Sequence, residues 1–361
     1  MYFVKLINDS HTQLLGMPLG GALAYDYRTK LITWGELRSS WLQLGKEHTY
    51  MKYALKKLAG MLLALFGVSL ILYLVFDIIP GDPAIAQLGT NATPESLEAL
   101  REEMGLNDPI IVRYGRWLGD FITGDFGTSY SYGMPVRDMI GEKLPISVTM
   151  TIMAFIMVLL ISIPTGLFCA RHQGKKLDTA VCAIGQIMMS VPPFFSGILI
   201  TLLFGITLGM FVPGNFISYD KSTAGFIGTL FFPALSIAIP KSAMAVKLLR
   251  SSLITELSKD YPRTAYSRGN SAWQVLFRHV LRNALIPVLT FFGMTLADIL
   301  TGSIIAEQVF GIPGLGRILL TSIMNRDYPV VQAIIMLLAS VVILVNFAVD
   351  IIYRKLDPRI N

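Results

Sequence analysis

Cysteine is scarce: the 361 residues hold two, Cys169 and Cys182. Two cysteines make no disulfide framework, so both read as unpaired small apolar residues. Histidine is nearly as rare. His11, His48, His172 and His279 show no clustered ligand spacing, so no structural metal is expected. Charge is thin too: Asp, Glu, Lys and Arg make up 15% of the chain against 53% hydrophobic residues, far too apolar for an ordinary soluble domain. Catalytic constellations are missing as well, with no Gly-x-Ser-x-Gly elbow and no His/Glu metal pair. Gly311 and Gly316 imitate the start of a phosphate-binding loop. Arg317 and Ile318 stand where Lys and Ser/Thr belong, however, and no strand precedes them. A membrane-embedded enzyme therefore finds no support, and no catalytic residue or cofactor is assigned.

What the chain has instead is long apolar runs, with a mean hydropathy of +0.58. Six stretches reach the ~20 residues that cross a hydrocarbon core. They are Leu58–Ile78, Ile146–Ala170, Thr179–Met210, Phe226–Leu249, Ala284–Ala306 and Val331–Tyr353. The fold class expected is an all-α integral membrane protein with six transmembrane helices. Lys46, Lys52, Lys56 and Lys57 precede the first span. Arg171, Lys175 and Lys176 follow the second, and Arg354, Lys355 and Arg359 follow the sixth. The positive-inside rule then places both termini in the cytoplasm, with membrane lipid around the spans. A net charge of +6 needs no nucleic acid to explain it.

Residues 1–50 hold no span and no signal-peptide core, with apolar residues only scattered (Leu14, Leu15, Trp34, Trp41). They are read as a cytoplasmic extension or an upstream start site, without an assigned role, ahead of a transmembrane domain at 51–361. Within that domain, 80–144 reads as an extracytoplasmic segment and 145–353 as the transmembrane core. In the outer segment, Thr93 and Pro94 open a helix as N-cap and N1, and Gly105 ends it. Pro192 and Pro193 break the ladder of the third span. The fourth span is interrupted by Pro233 and Pro240 and carries Lys241. In the fifth, Gly293, Ala297 and Thr301 make a small-residue face beside Asp298. Polar and charged side chains at that depth belong inside the bundle, so Gln186, Lys241 and Asp298 are candidate translocation-path residues. Whether Lys241 and Asp298 meet each other is left open.

Between the fourth and fifth spans, residues 256–282 form a basic island far longer than a hairpin needs. Lys259, Arg263, Arg268, Arg278, His279 and Arg282 lie in it. Ala265 and Gly269 stand i, i+4, two small residues where another surface could approach. Past Gly269, Trp273, Leu276, Phe277 and Val280 recur at i, i+3, i+4, i+7. The pattern predicts a short helix, a break, and an amphipathic helix leading into the membrane at Ala284.

Ala265, three residues, Gly269, nine residues, then His279 and Leu281 resemble the "EAA" loop of binding-protein-dependent ABC importer permeases. Arg263 stands where that pattern has an acid, and Thr264 where it has alanine. Those departures, with Arg278-His279-x-Leu281-Arg282-Asn283-Ala284, resemble the peptide-transporter branch. Pro80-Gly-Asp-Pro83, Gly124-Asp-Phe-Gly127, Glu307-Gln-Val-Phe-Gly311 and Leu356-Asp-Pro-Arg359 follow in the same order as in that branch.

The resemblance implies the type I importer permease fold in a bacterial plasma membrane. It also implies that Arg263, Thr264, Ala265, Gly269, Arg278 and His279 couple the chain to a cytoplasmic ATPase. A second homologous permease, two ATPase subunits and an extracytoplasmic substrate-binding protein complete such a transporter. ATP and Mg are used by the partner subunits, and none is bound by this chain. Substrates across the branch are di- and oligopeptides, with nickel and other small solutes in some members. An ion-coupled secondary transporter driven through Asp298 and Lys241 is the alternative from another class, without an internal repeat to support it.

Overall fold

A computed structural model of the chain describes residues 12–15, 23–26, 30–32, 34–78, 83–88 and 93–356. The chain divides between Leu62 and Leu63 into a small N-terminal unit and a larger body. In the small unit, strands β1 (Thr12–Leu15), β2 (Leu23–Asp26) and β3 (Lys30–Ile32) form an antiparallel meander. Its register sets Gln13 opposite Tyr25 and Tyr25 opposite Leu31. Strands of three or four residues are too short to show an alternating pattern, so the sequence did not announce them.

Helix α1 (Trp34–Ile78) carries the first span, Tyr53–Ile78. Three shorter helices fill the connection to the second span: α2 (Pro83–Leu88), α3 (Pro94–Glu103) and α4 (Ile110–Thr123). Helix α3 starts as expected, with the Thr93 hydroxyl accepting from the Ser96 amide, and Gly105 past its end has φ +66°. Then come α5 (Val136–Arg171), α6 (Lys176–Ser190), α7 (Pro193–Thr207), α8 (Thr223–Leu257) and α9 (Asp260–Ser267). The chain closes with α10 (Ala272–Phe310), α11 (Leu315–Met324) and α12 (Tyr328–Leu356).

Five of the described helices are long and apolar enough to cross a membrane on their own: α1, α5, α8, α10 and α12. The third expected span is not one helix. It is the pair α6 and α7, bent by 105°. The cause is Pro192-Pro193: neither residue has an amide hydrogen, and Val191 before them is pushed to extended backbone (φ −83°, ψ 122°). Pro192 caps α7 and Pro193 is its first residue, a position where proline is at home. The fourth span, expected to be interrupted, runs unbroken from Thr223 to Leu257 with Pro233 and Pro240 buried inside it.

The main core lies where α5, α8 and α10 pack together, through Met150, Ala154 and Val158, Leu230 and Ile237, and Val288 and Ile299. Lipid gives apolar side chains little reason to hide from it, so close approach at small residues decides the packing. Gly166 of α5 lies against Leu249 of α8, and Gly293 of α10 against Val349 of α12. A Cβ at either glycine would collide. A second core joins the start of α5 to α11 and α12 through Val136, Ile140, Leu315, Val330 and Ile334.

Two fully buried carboxylates staple the connections beside that second core. Glu307 accepts from Ser147 Oγ (2.5 Å) and from the amides of Gly316 (2.6 Å) and Arg317 (3.2 Å), so it caps the start of α11. Asp327 accepts from Ser129 Oγ (2.5 Å) and from the amides of Tyr130 (3.0 Å) and Ser131 (3.3 Å). It thereby ties the loop before α5 to the one before α12. Burial first, and then the Asp327 charge, push the Tyr130 phenol up to about 12.

Candidate coupling and translocation site

The basic island folds as a short helix, a glycine turn and a re-entry into the membrane. Asp260, Tyr261 and Pro262 open α9, and Pro262 is tolerated because the first turn needs no intrahelical donor. Glu256, at the end of α8, fastens this start: Tyr261 donates to its Oε2 (2.8 Å) and Lys259 to its Oε1 (2.6 Å). Burial raises the Tyr261 phenol above its ordinary value, which keeps its proton on the donor side. Pro262 and Ala265 form the buried underside, while Arg263, Thr264, Tyr266, Ser267 and Arg268 are exposed.

Gly269 follows with φ +80°. Its amide donates to Tyr266 O (2.9 Å), and both the Asn270 amide and side chain turn back to Ala265 O (3.4 and 3.0 Å). Nothing lies within 4 Å of where a Cβ would stand. Glycine is therefore required here by backbone conformation, not by space. The expected pairing of Ala265 and Gly269 on one face fails, since Gly269 lies beyond the helix end.

The second half departs from expectation more. Ser271 and Gln274 form a reciprocal capping box, but Val275–Val280 is π-helical, with hydrogen bonds spanning five residues instead of four. That wider turn splits the expected apolar stripe. Val275, Leu276 and Val280 are buried, whereas Trp273 and Phe277 are 41% and 53% exposed. The two exposed rings lie 5.7 Å apart, and the Arg171 guanidinium sits 4.8 Å from the Trp273 ring. Arg278 stays exposed and His279 half-buried on the π-helical stretch.

In the spans, Lys241 Nζ of α8 lies 2.8 Å from Asp298 Oδ2 of α10, so the two do meet. The Asp298 side chain is nonetheless 61% exposed, facing a side the described residues leave uncovered. Gln186 Oε1 of α6 lies 3.5 Å from Lys247 Nζ, six residues along α8 from Lys241. One strong pair was not read from the sequence. Arg250 grips Asp178 with two hydrogen bonds, Nε to Oδ1 (2.6 Å) and a terminal nitrogen to Oδ2 (2.7 Å), while the Gly174 amide also donates to Oδ2 (2.9 Å). An acid in a short basic turn was the available signal, but its partner lies on another span.

Residues 162–361 match the family described as the inner membrane component of binding-protein-dependent transport systems, and residues 50–151 match the N-terminal part of such membrane components. The chain belongs to this family of importer permeases. The permease is 35% identical over 300 residues to the oligopeptide transport system permease AppB of Bacillus subtilis, covering 82% of this chain and 95% of that protein. It is 32% identical over 332 residues to the dipeptide transport system permease DppB of Alkalihalophilus pseudofirmus, covering 86% and 99%. It is 33% identical over 311 residues to the glutathione transport system permease GsiC of Escherichia coli, covering 86% and 99%.

A permease chain of the MetNI methionine transporter, solved inward-facing, superposes with a TM-score of 0.50 at 19% identity, over 61% of this chain and 96% of that one. The fold is thus the type I ABC importer permease fold. The permease is a multi-pass plasma-membrane protein and not itself an enzyme. ATP hydrolysis belongs to a partner ATPase, and a substrate-binding protein is the family's other partner.

Proposed function

We propose that this permease carries di- or oligopeptides inward as one half of a heterodimeric pore, driven by two cytoplasmic ATPase subunits and fed by an extracytoplasmic binding protein. The observation that carries the substrate reading is the Lys241–Asp298 pair, one cation and one anion held together on the uncovered side of the bundle. A zwitterionic peptide presents the complementary charges at its two ends. The peptide, dipeptide and glutathione names of the relatives agree with this reading.

Both termini and the basic island lie in the cytoplasm, in keeping with the basic residues beside each inner span end. There α9 is the docking element. Arg263 and Thr264 meet the ATPase, while Ala265 seats the helix on the permease and Gly269 sets its angle. Arg278 and His279 flank the re-entry into the membrane. Residues 1–50 stand outside this machinery, as an extension of the domain at 51–361.

The test is reconstitution of the complete complex in proteoliposomes with its binding protein and a mixture of short peptides. Mass spectrometry of the lumen after ATP addition should show ATP-dependent accumulation of di- or oligopeptides. Accumulation of nickel or another small solute without any peptide would overturn the substrate assignment.

A further inference from the structure

Helix α4 (Ile110–Thr123) has three distinct faces, and one of them is unpartnered among the described residues. Tyr114, Trp117 and Phe121, at i, i+3 and i+7, form an aromatic face. Tyr114 and Trp117 pack on α1, each ring 5.5 Å from Tyr73, and the Tyr114 hydroxyl shares a 2.8 Å hydrogen bond with Ser69. Arg113, Arg116 and Asp120 form a polar face that borders a cavity of about 300 Å³. The third face is apolar. Ile111 and Ile122, three turns apart, are 80% and 75% exposed, and Val112 is exposed beside them. Gly115 and Gly119 on the same side leave that surface flat.

The depth of the helix follows from its contacts. Phe76 of α1 meets Tyr328 of α12 with ring centres 5.4 Å apart, where both spans end on one side of the membrane. Tyr73 and Ser69 lie three and seven residues inside that level, roughly 5 and 10 Å at 1.5 Å per residue. The aromatic face of α4 is therefore held below the span ends. Depths of ~5–10 Å are those of helices lying in the membrane interface. Tyr and Trp are the side chains that favour that layer. The two arginines carry no unbalanced charge into it, since Arg113 pairs with Asp77 (2.7 Å) and Arg116 with Asp108 (2.8 Å). The exposed apolar face also continues the lipid-facing surface of α1, where Ile71 and Val75 are themselves exposed.

We infer that α4 lies in the plane of the membrane interface, with Ile111, Val112 and Ile122 seated among the acyl chains of that leaflet. Its polar face then looks away from the hydrocarbon, into the hydrated cavity. The occupant of the apolar face is lipid, and a soluble protein partner is the rival.

The experiment uses the full complex in lipid nanodiscs, with Cys169 and Cys182 replaced by alanine in the permease. Ile111→Cys, Ile122→Cys and, as the water-side control on the polar face, Asp120→Cys are each labelled with a nitroxide. The labels at 111 and 122 should collide more with oxygen than with a water-soluble nickel chelate, and the label at 120 should show the reverse. Equal nickel access at all three positions would overturn the inference. So would loss of both reagents at 111 and 122, or protection that appears only on adding the binding protein. Should the cysteine-free chain fail to assemble, Ile122→Trp in the native chain gives a second reading. Its fluorescence should be quenched by lipids brominated along the acyl chain, and quenching by aqueous iodide alone would refute the placement.

Discussion

A lone charge near the middle of a bilayer costs about 2.5–3.5 kcal/mol on insertion scales, and this sets the terms for Lys241 and Asp298. Each lowers the other's cost by standing 2.8 Å away, yet Asp298 keeps most of its side chain uncovered. A pair this exposed contributes at most ~1 kcal/mol of its own to stability. That the pair adds so little to folding at a costly depth fits the transport role proposed for it. Asp298→Lys and Lys241→Asp should each cut uptake at normal membrane levels, and the double reversal should recover it by rebuilding the contact. Purely additive defects would mean that the residues act independently. Normal uptake in both single variants would remove them from the path. The buried carboxylates Glu307 and Asp327 are a different case: backbone amides and serine hydroxyls satisfy them, which is the work of structural staples.

At the scale of elements, the basic island shows how far a pattern of residue types can be read. The helix, the break after it and the re-entry were legible, because Gly269 and the apolar spacing mark them in the sequence. The π-helical turn at Val275–Val280 was not, since a hydrogen-bond register of five leaves no compositional mark, and it turned Trp273 and Phe277 outward. The spans were legible wherever a long apolar run stayed a single helix. In the third, Pro192-Pro193 was visible, but the 105° angle depends on what the two arms pack against. The Asp178–Arg250 pair bridges 72 residues and could be found only in the folded chain. Gly269 carries the prediction at this scale. Its left-handed backbone costs an L-residue roughly 1–2 kcal/mol, while the space around it is open. Gly269→Val should therefore leave the complex assembled but uncouple ATP hydrolysis from uptake, and Gly269→Ala should do so more mildly. Gly269→Asn, which tolerates that conformation better, should retain most coupling. If asparagine were as damaging as valine in paired ATPase and uptake assays, a surface contact and not the backbone would be the cause.

At the largest scale, the body that begins at Leu63 is lopsided about Lys241 and Asp298. Helices α5, α8 and α10 enclose the main core, while the most apolar stretches of the first and last spans are only 11% buried. Ile184, Ile187, Phe194 and Phe195 of the bent α6–α7 pair are exposed as well. A path for a polar solute needs walls on every side, and the described residues supply a wall on one side of Lys241 and Asp298. Lipid cannot be the other wall, because the exposed Asp298 carboxylate would then face hydrocarbon at the cost given above. A second permease can close the path and keep water within it. Native mass spectrometry of the purified transporter should then show this chain with one copy of a different permease and two ATPase subunits. In that complex, Asp298→Cys should react with a charged, water-soluble thiol reagent, since the closed path is wet. Expressed with the ATPases but without its companion, the chain should give no ATP-dependent uptake. Uptake by the chain without the companion, or a complex holding two copies of this chain, would refute the heterodimer. An unreactive cysteine at 298 in the complete complex would show that the charged face is sealed against protein instead of lining a passage.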